Sequence, residues 1–116
     1  MFCLPSHGGE GIPKVLMEAA ASGRALITTD VPGCRDVVKD GLNGFVVPPR
    51  SLEALAGAIE KPVSDSEMRT QMGRKSRELA IRDFGQDAVV RHVLALYDEL
   101  LNSSEARAVA APVLNA

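Results

Sequence analysis

Hydrophobic and polar positions fall into blocks whose period changes along the 116 residues. Met1-Phe2-Cys3-Leu4 is a short apolar run stopping at Pro5-Ser6, the pattern of a buried strand entering a loop. The loop Ser6-His7-Gly8-Gly9-Glu10-Gly11 follows, and Pro13 fits the first position of a helix, where its missing N–H costs nothing. Val15, Leu16, Ala19 and Ala20 recur at helical spacing until Gly23. Ala25-Leu26-Ile27-Thr28-Thr29 reads as a second strand, and Asp30-Val31-Pro32-Gly33 as a turn holding Cys34 in a loop. A short helix is expected over about 35–39. Asp40-Gly41 and Asn43-Gly44 are turn dipeptides, and Phe45-Val46-Val47 is a third strand closed by Pro48-Pro49.

Beyond Pro49 the period is helical. Ser51 can cap a helix with Leu52, Leu55, Ala56 and Ile59 on one face, broken at Pro62. Asp65 or Ser66 starts the next helix, through Met68 and Met72 toward Leu79; that methionine pair reads as core or domain-contact surface. Phe84-Gly85 interrupts. Val89, Val90, Val93, Leu94, Tyr97 and Leu101 mark a last amphipathic helix, and residues 102–116 read as a flexible tail. This order predicts an α/β, Rossmann-like fold with a parallel sheet of three short strands, then C-terminal helices. A parallel sheet needs both faces covered, and the first strand starts at Met1 with no lead-in. The chain is therefore expected to be part of a larger α/β domain, or to complete its sheet with another chain. An open sheet edge would favour self-association.

Composition narrows the classes without selecting an activity. Apolar residues make up 46% and charged residues 24%, a globular mix. The formal net charge of −2 offers no basic field for nucleic acid or an anionic membrane. Phe2, Phe45, Phe84 and Tyr97 are the whole aromatic complement, too few for a base-stacking platform. Cys3 and Cys34 lack metal-ligand spacing and read as plain thiols, Cys3 as a small buried hydrophobe. With no leader pattern and no apolar run near 18 residues, a cytoplasmic location is expected.

The candidate chemistry sits in the first loop. Glycines after a strand let the backbone approach a ligand and expose N–H groups, while the helix start adds orphan donors and about half a positive charge. Together they suit a phosphate at the carboxyl end of a strand. The spacing matches neither the dinucleotide fingerprint nor the P-loop. Glu10 and Glu18 stand seven residues apart. They can contact two parts of one elongated ligand, each carboxylate accepting hydrogen bonds from a vicinal diol. Equally, Glu10 can be a solvated loop acid and Glu18 an exposed helix residue. Lys14 points to a phosphate or to solvent. His7 can touch the ligand or be an ordinary loop residue, Arg24 reads as a cation at a helix end, and Asp30 and Asp36 as caps of turns and helices.

The stretch Leu4-Pro5-Ser6-His7-Gly8-Gly9-Glu10-Gly11-Ile12-Pro13-Lys14-Val15-Leu16-Met17-Glu18-Ala19-Ala20-Ala21-Ser22-Gly23-Arg24 resembles the signature of the retaining GT-B glycosyltransferases of family 4. Thr28-Thr29-Asp30-Val31-Pro32-Gly33-Cys34-Arg35-Asp36-Val37-Val38 and Asp40-Gly41-Leu42-Asn43-Gly44-Phe45-Val46-Val47-Pro48-Pro49 resemble the segments that follow it there. The likeness covers residues 1–101, which it implies are part of the C-terminal, nucleotide-sugar-binding domain of a GT-B fold. It further implies that Glu10 contacts the donor sugar and supports oxocarbenium charge, and that Glu18 binds the ribose hydroxyls. Gly9, Gly11, Ile12, Val15 and Leu16 would surround the diphosphate, chiefly through backbone N–H groups. The Ser6–Glu10 loop holds one residue more than the family commonly has. The implied reaction is retaining sugar transfer from a nucleoside-diphosphate sugar, a UDP-sugar by expectation, with no metal and no cofactor. The wording is most like bacterial lipopolysaccharide, capsule and exopolysaccharide transferases, peripheral at the inner membrane. The acceptor, a glycan or a lipid-linked glycan, would need an N-terminal domain that this chain lacks, so the chain alone is expected to be inactive. The alternatives are a non-catalytic nucleotide-binding or interaction module, and a nucleotide-sugar epimerase.

Overall fold

The computed structural model describes residues 1–9 and 11–103. The element order is β1 (Phe2–Leu4), α1 (Lys14–Ala21), β2 (Leu26–Thr29), α2 (Cys34–Val37), β3 (Gly44–Val47), α3 (Leu52–Ser64), α4 (Ser66–Phe84) and α5 (Gln86–Asn102). The strands form one parallel sheet in the order β1-β2-β3, with Cys3 opposite Ile27 and Ile27 opposite Phe45. The α/β class and the parallel sheet are those expected. The chain divides into two compact units, Met1–Phe84 and a second from Gly85 onward.

Alternation along the strands builds two cores. Phe2, Leu4, Leu26 and Val46 face α1, α2 and α4 with Leu16, Ala19, Ala20, Val37, Val38 and Ala80. Cys3, Ile27, Phe45 and Val47 face α3, where they meet Ala54, Leu55, Ala58 and Ile59. Both faces of the sheet are thus covered within the first unit. Cys3 is half-buried, and this burial pushes its thiol pKa up. Cys34 does not lie in a loop: it opens α2 and is buried in the first core.

Several boundaries differ from the expected ones for local reasons. Pro13 is the N-cap of α1 and the helix begins at Lys14. The short helix is Cys34–Val37, displaced toward the amino terminus by Gly33, whose φ of 89° ends the preceding turn. Pro62 does not break α3, which continues to Ser64. It sits in the last turn, and the Arg69 guanidinium donates to the Pro62 carbonyl at 2.9 Å, satisfying a group that the helix end leaves orphaned. The buried face of α3 is centred on Ala58 and Pro62; Leu52, 81% exposed, and Ala56 point outward. Ser51 does cap α3, accepting from the Ala54 N–H at 3.3 Å, and the Asp65 carboxylate caps α4 through the Met68 N–H at 3.0 Å. Helix α4 runs past Leu79 to Phe84, with Met72 buried and Met68 half-buried.

Asn43, expected as a turn residue, is fully buried. Its amide donates to the Val37 carbonyl at 3.0 Å and its side-chain oxygen accepts from the Lys39 N–H at 2.7 Å. The Asn43 carbonyl accepts from the Leu26 N–H at 3.1 Å and the Ser76 hydroxyl at 3.1 Å. This one residue ties α2, β2 and α4 to the entry of β3. At the outer edge of β3, Asp40 accepts from the Val46 N–H at 2.9 Å and the Gly41 N–H reaches the Gly44 carbonyl at 2.8 Å. That edge is therefore partly closed by the chain's own loop. The second unit holds α5, capped by Gly85; its apolar side chains from Val89 to Leu101 are all more than 40% exposed. Of the tail expected over 102–116, Asn102 instead ends α5, and residues 104–116 lie outside the described residues.

Candidate functional site

Three loops leave the carboxyl ends of the strands: 5–13 after β1, 30–33 after β2 and 48–51 after β3. The first is pinned by the second strand. Thr28 donates its hydroxyl to the Leu4 carbonyl at 2.9 Å, and Thr29 donates to the Ser6 carbonyl. Ser6 turns back on Leu4 through its N–H at 3.0 Å, and its hydroxyl accepts from the Gly8 N–H at 3.1 Å. Gly8 and Gly9 have φ of 91° and 88°, a region L side chains rarely enter. The glycines therefore permit a reversal that other residues would strain.

The second loop holds the far side of the first. A Cβ on Gly33 would lie 2.4 Å from the Gly11 carbonyl oxygen, so the two backbones touch where only glycine fits. The Asp30 N–H donates to the Val47 carbonyl at 2.7 Å, linking the second loop to β3. The Asp30 carboxylate pairs with Arg35 at 3.0 Å and caps no helix, whereas Asp36 does lie in the first turn of α2. His7 is exposed and borders a cleft of about 290 Å³ at this end of the sheet, together with Thr29, Pro48 and Arg50.

Helix α1 enters this frame with no side chain capping its start. Ile12 and Val15 are 40% and 44% exposed, and Gly9 and Gly11 are also exposed. Leu16 is different. Its side chain is fully buried, and its N–H donates to the Pro13 carbonyl at 3.1 Å, as does that of Met17 at 3.2 Å. The first turn closes tightly on Pro13, so the Leu16 amide is not directed at a ligand; Leu16 anchors the helix to the sheet. The Val15 N–H precedes the first intrahelical bond and is an orphan donor by helix geometry. Glu18 is exposed and lies 3.8 Å from the Lys14 ammonium, four residues back on the same face. Such a solvated pair is worth about 0.3–0.5 kcal/mol, so a ligand can displace it at little cost. Glu10 lies outside the described residues. Among the described residues, no three His, Cys, Asp or Glu side chains gather where they could hold a metal ion.

The structure thus leaves Gly9, Gly11, Ile12, Val15 and Glu18 exposed along the loop after β1 and the α1 helix that follows it. Reading the sequence for candidate residues passes over Thr28, Thr29 and Gly33, which hold the loop in place. The hint was two adjacent threonines closing an apolar strand, one for each face of the sheet.

Residues 1–79 match the family model described as glycosyl transferases group 1. The chain belongs to this family. Over 100 residues it is 36% identical to an exopolysaccharide phosphotransferase of Streptomyces coelicolor, covering 85% of this chain and 10% of that protein. Over 107 residues it is 32% identical to a capsular polysaccharide biosynthesis glycosyltransferase of Staphylococcus aureus, covering 92% and 28%. A crystal structure of an Anabaena protein in complex with UDP superimposes with a TM-score of 0.77 at 20% identity, covering 83% and 26%. This structural likeness shows the fold, a part of the GT-B architecture. The chain thus spans between about a tenth and three tenths of these proteins. No helix among the described residues is long and apolar enough to cross a membrane.

Proposed function

We propose that this chain is the donor-binding part of a retaining glycosyltransferase that takes a sugar from a nucleoside diphosphate, UDP foremost, and adds it to a glycan or lipid-linked acceptor. Cell-surface polysaccharide assembly at the cytoplasmic face of the membrane is the setting, and transfer belongs to a protein that includes the parts this chain does not span. The observation that carries the reading is the glycine-rich loop fixed between Thr28, Thr29 and Gly33 and leading into the uncapped start of α1. The named role of the capsular relative and the UDP held by the Anabaena neighbour support it. Neither relative favours an epimerase or a non-catalytic module.

In such a transfer the bond from sugar C1 to the diphosphate oxygen breaks, leaving negative charge on the diphosphate and positive charge at C1. Loop N–H groups and the α1 dipole face the first charge in a fixed arrangement, the form of stabilisation that costs no reorganisation during the step. Glu10 is assigned to the second charge, and Glu18 to the ribose hydroxyls. A carboxylate on a diol makes charge-assisted hydrogen bonds worth about 1.5–3 kcal/mol each. Glu18→Ala is therefore expected to weaken UDP binding by at least about tenfold, ~1.4 kcal/mol or more, while leaving inorganic pyrophosphate binding unchanged. Calorimetry with both ligands reads this; equal losses for the two, or none for UDP, would remove Glu18 from the ribose.

A further inference from the structure

The opposite end of the sheet carries a second concentration of charge that the donor site does not use. A cleft of about 310 Å³ opens between the turn before β2 and the side of α4, and four arginines line it: Arg24, Arg69, Arg74 and Arg77. No carboxylate lines it. The chain as a whole has 13 Lys and Arg against 15 Asp and Glu, so this local excess runs against the overall balance.

Backbone packing makes the cluster possible. A Cβ on Gly73 would lie 2.2 Å from the Gly23 carbonyl oxygen, so α4 rides directly on the turn that ends α1. That contact brings three arginines of α4 alongside Arg24. Two of them are held from below: Arg77 donates to the Ala21 carbonyl at 2.7 Å, and Arg69 to the Pro62 carbonyl at 2.9 Å. Each guanidinium has five N–H donors, so most remain unused. Arg24 and Arg74 are exposed, and their side chains make no hydrogen bond or ion pair among the described residues. The positive field is felt nearby. The Met1 amine, on the rim, has its pKa lowered first by partial burial and then by Arg24 and Arg69.

We propose that this cleft is a second anion site, one that takes a phosphate group. Four arginines on one cleft offer guanidinium forks that suit the oxygens of a phosphate better than a single carboxylate, and two of them are already held by backbone carbonyls. The phosphate arrives either on a soluble molecule or on a lipid headgroup, since both present the same oxygens.

An amide NMR titration of the 116-residue chain with inorganic phosphate tests this. Saturable shifts at Gly23, Arg24, Gly73 and Arg74 are expected, weakened at least tenfold in the Arg24→Ala, Arg74→Ala double variant, whose dispersed spectrum would show an intact fold. Shifts that sodium chloride reproduces at equal ionic strength, or that persist in the double variant, would overturn the proposal. Sedimentation with phosphatidylglycerol vesicles and not phosphatidylcholine vesicles, lost in the double variant, would assign the phosphate to a lipid headgroup. Phosphate binding without sedimentation would assign it to a soluble ligand.

Discussion

Gly33 and Gly41 both have positive φ, 89° and 78°, yet they differ in surroundings. Nothing lies within 4 Å of a Cβ built on Gly41, whereas one on Gly33 meets the Gly11 carbonyl. Gly41→Ala adds backbone strain alone, about 1–2 kcal/mol. Gly33→Ala adds the same strain and also pushes the donor loop away from α2, so it is expected to cost about 2–4 kcal/mol and to weaken UDP binding. Chemical denaturation of both variants, with UDP titrations beside them, checks this. Equal destabilisation and unchanged UDP affinity in the pair would show that the Gly33–Gly11 contact does not support the loop. The residue scale is also where the sequence was hardest to read. Gly33 in Pro32-Gly33 has the look of any turn glycine, because its partner lies 22 positions earlier and close approach leaves no local pattern. Leu16 misled in the other direction: its place in the first turn suggested a ligand-facing amide, and the tight bond to Pro13 removes it.

At the scale of elements, the strands and α1 were legible because short apolar runs bounded by turn residues and the Gly23 stop are local signals. What was not legible came from partners distant in sequence. Pro62 has no N–H for the carbonyl four residues back, yet α3 runs on to Ser64, and Arg69 of the next helix donates to the Pro62 and Val63 carbonyls that this helix end leaves open. The outward turn of Leu52 and Ala56 follows from which side of α3 meets Phe45 and Val47, and this depends on how the helix sits on the sheet. Asn43 belongs to the same class. Asn43-Gly44 spells a turn, while the structure uses the side chain as a buried bridge between the Val37 carbonyl and the Lys39 N–H. Asn43→Ala leaves both groups buried without partners and is expected to cost about 2–4 kcal/mol. Thermal and urea unfolding measure it. A loss below about 0.5 kcal/mol would mean that the bridge does not hold β3 in place.

At the scale of the whole molecule, the two ends of the sheet differ in kind. The carboxyl end gathers the glycine-rich loop held by Thr29 and Gly33 ahead of α1; the amino end gathers arginine side chains where α4 packs on the Gly23 turn. The central claim is that the loop from Ser6 and the start of α1 form a donor half-site already shaped in this chain. An amide NMR titration of the 116-residue chain with UDP tests it most directly. The account predicts saturable shifts confined to Gly8, Gly9, Gly11, Ile12, Lys14 and Val15, with Glu18 following them. A folded chain whose shifts are absent there, or fall elsewhere, would contradict it.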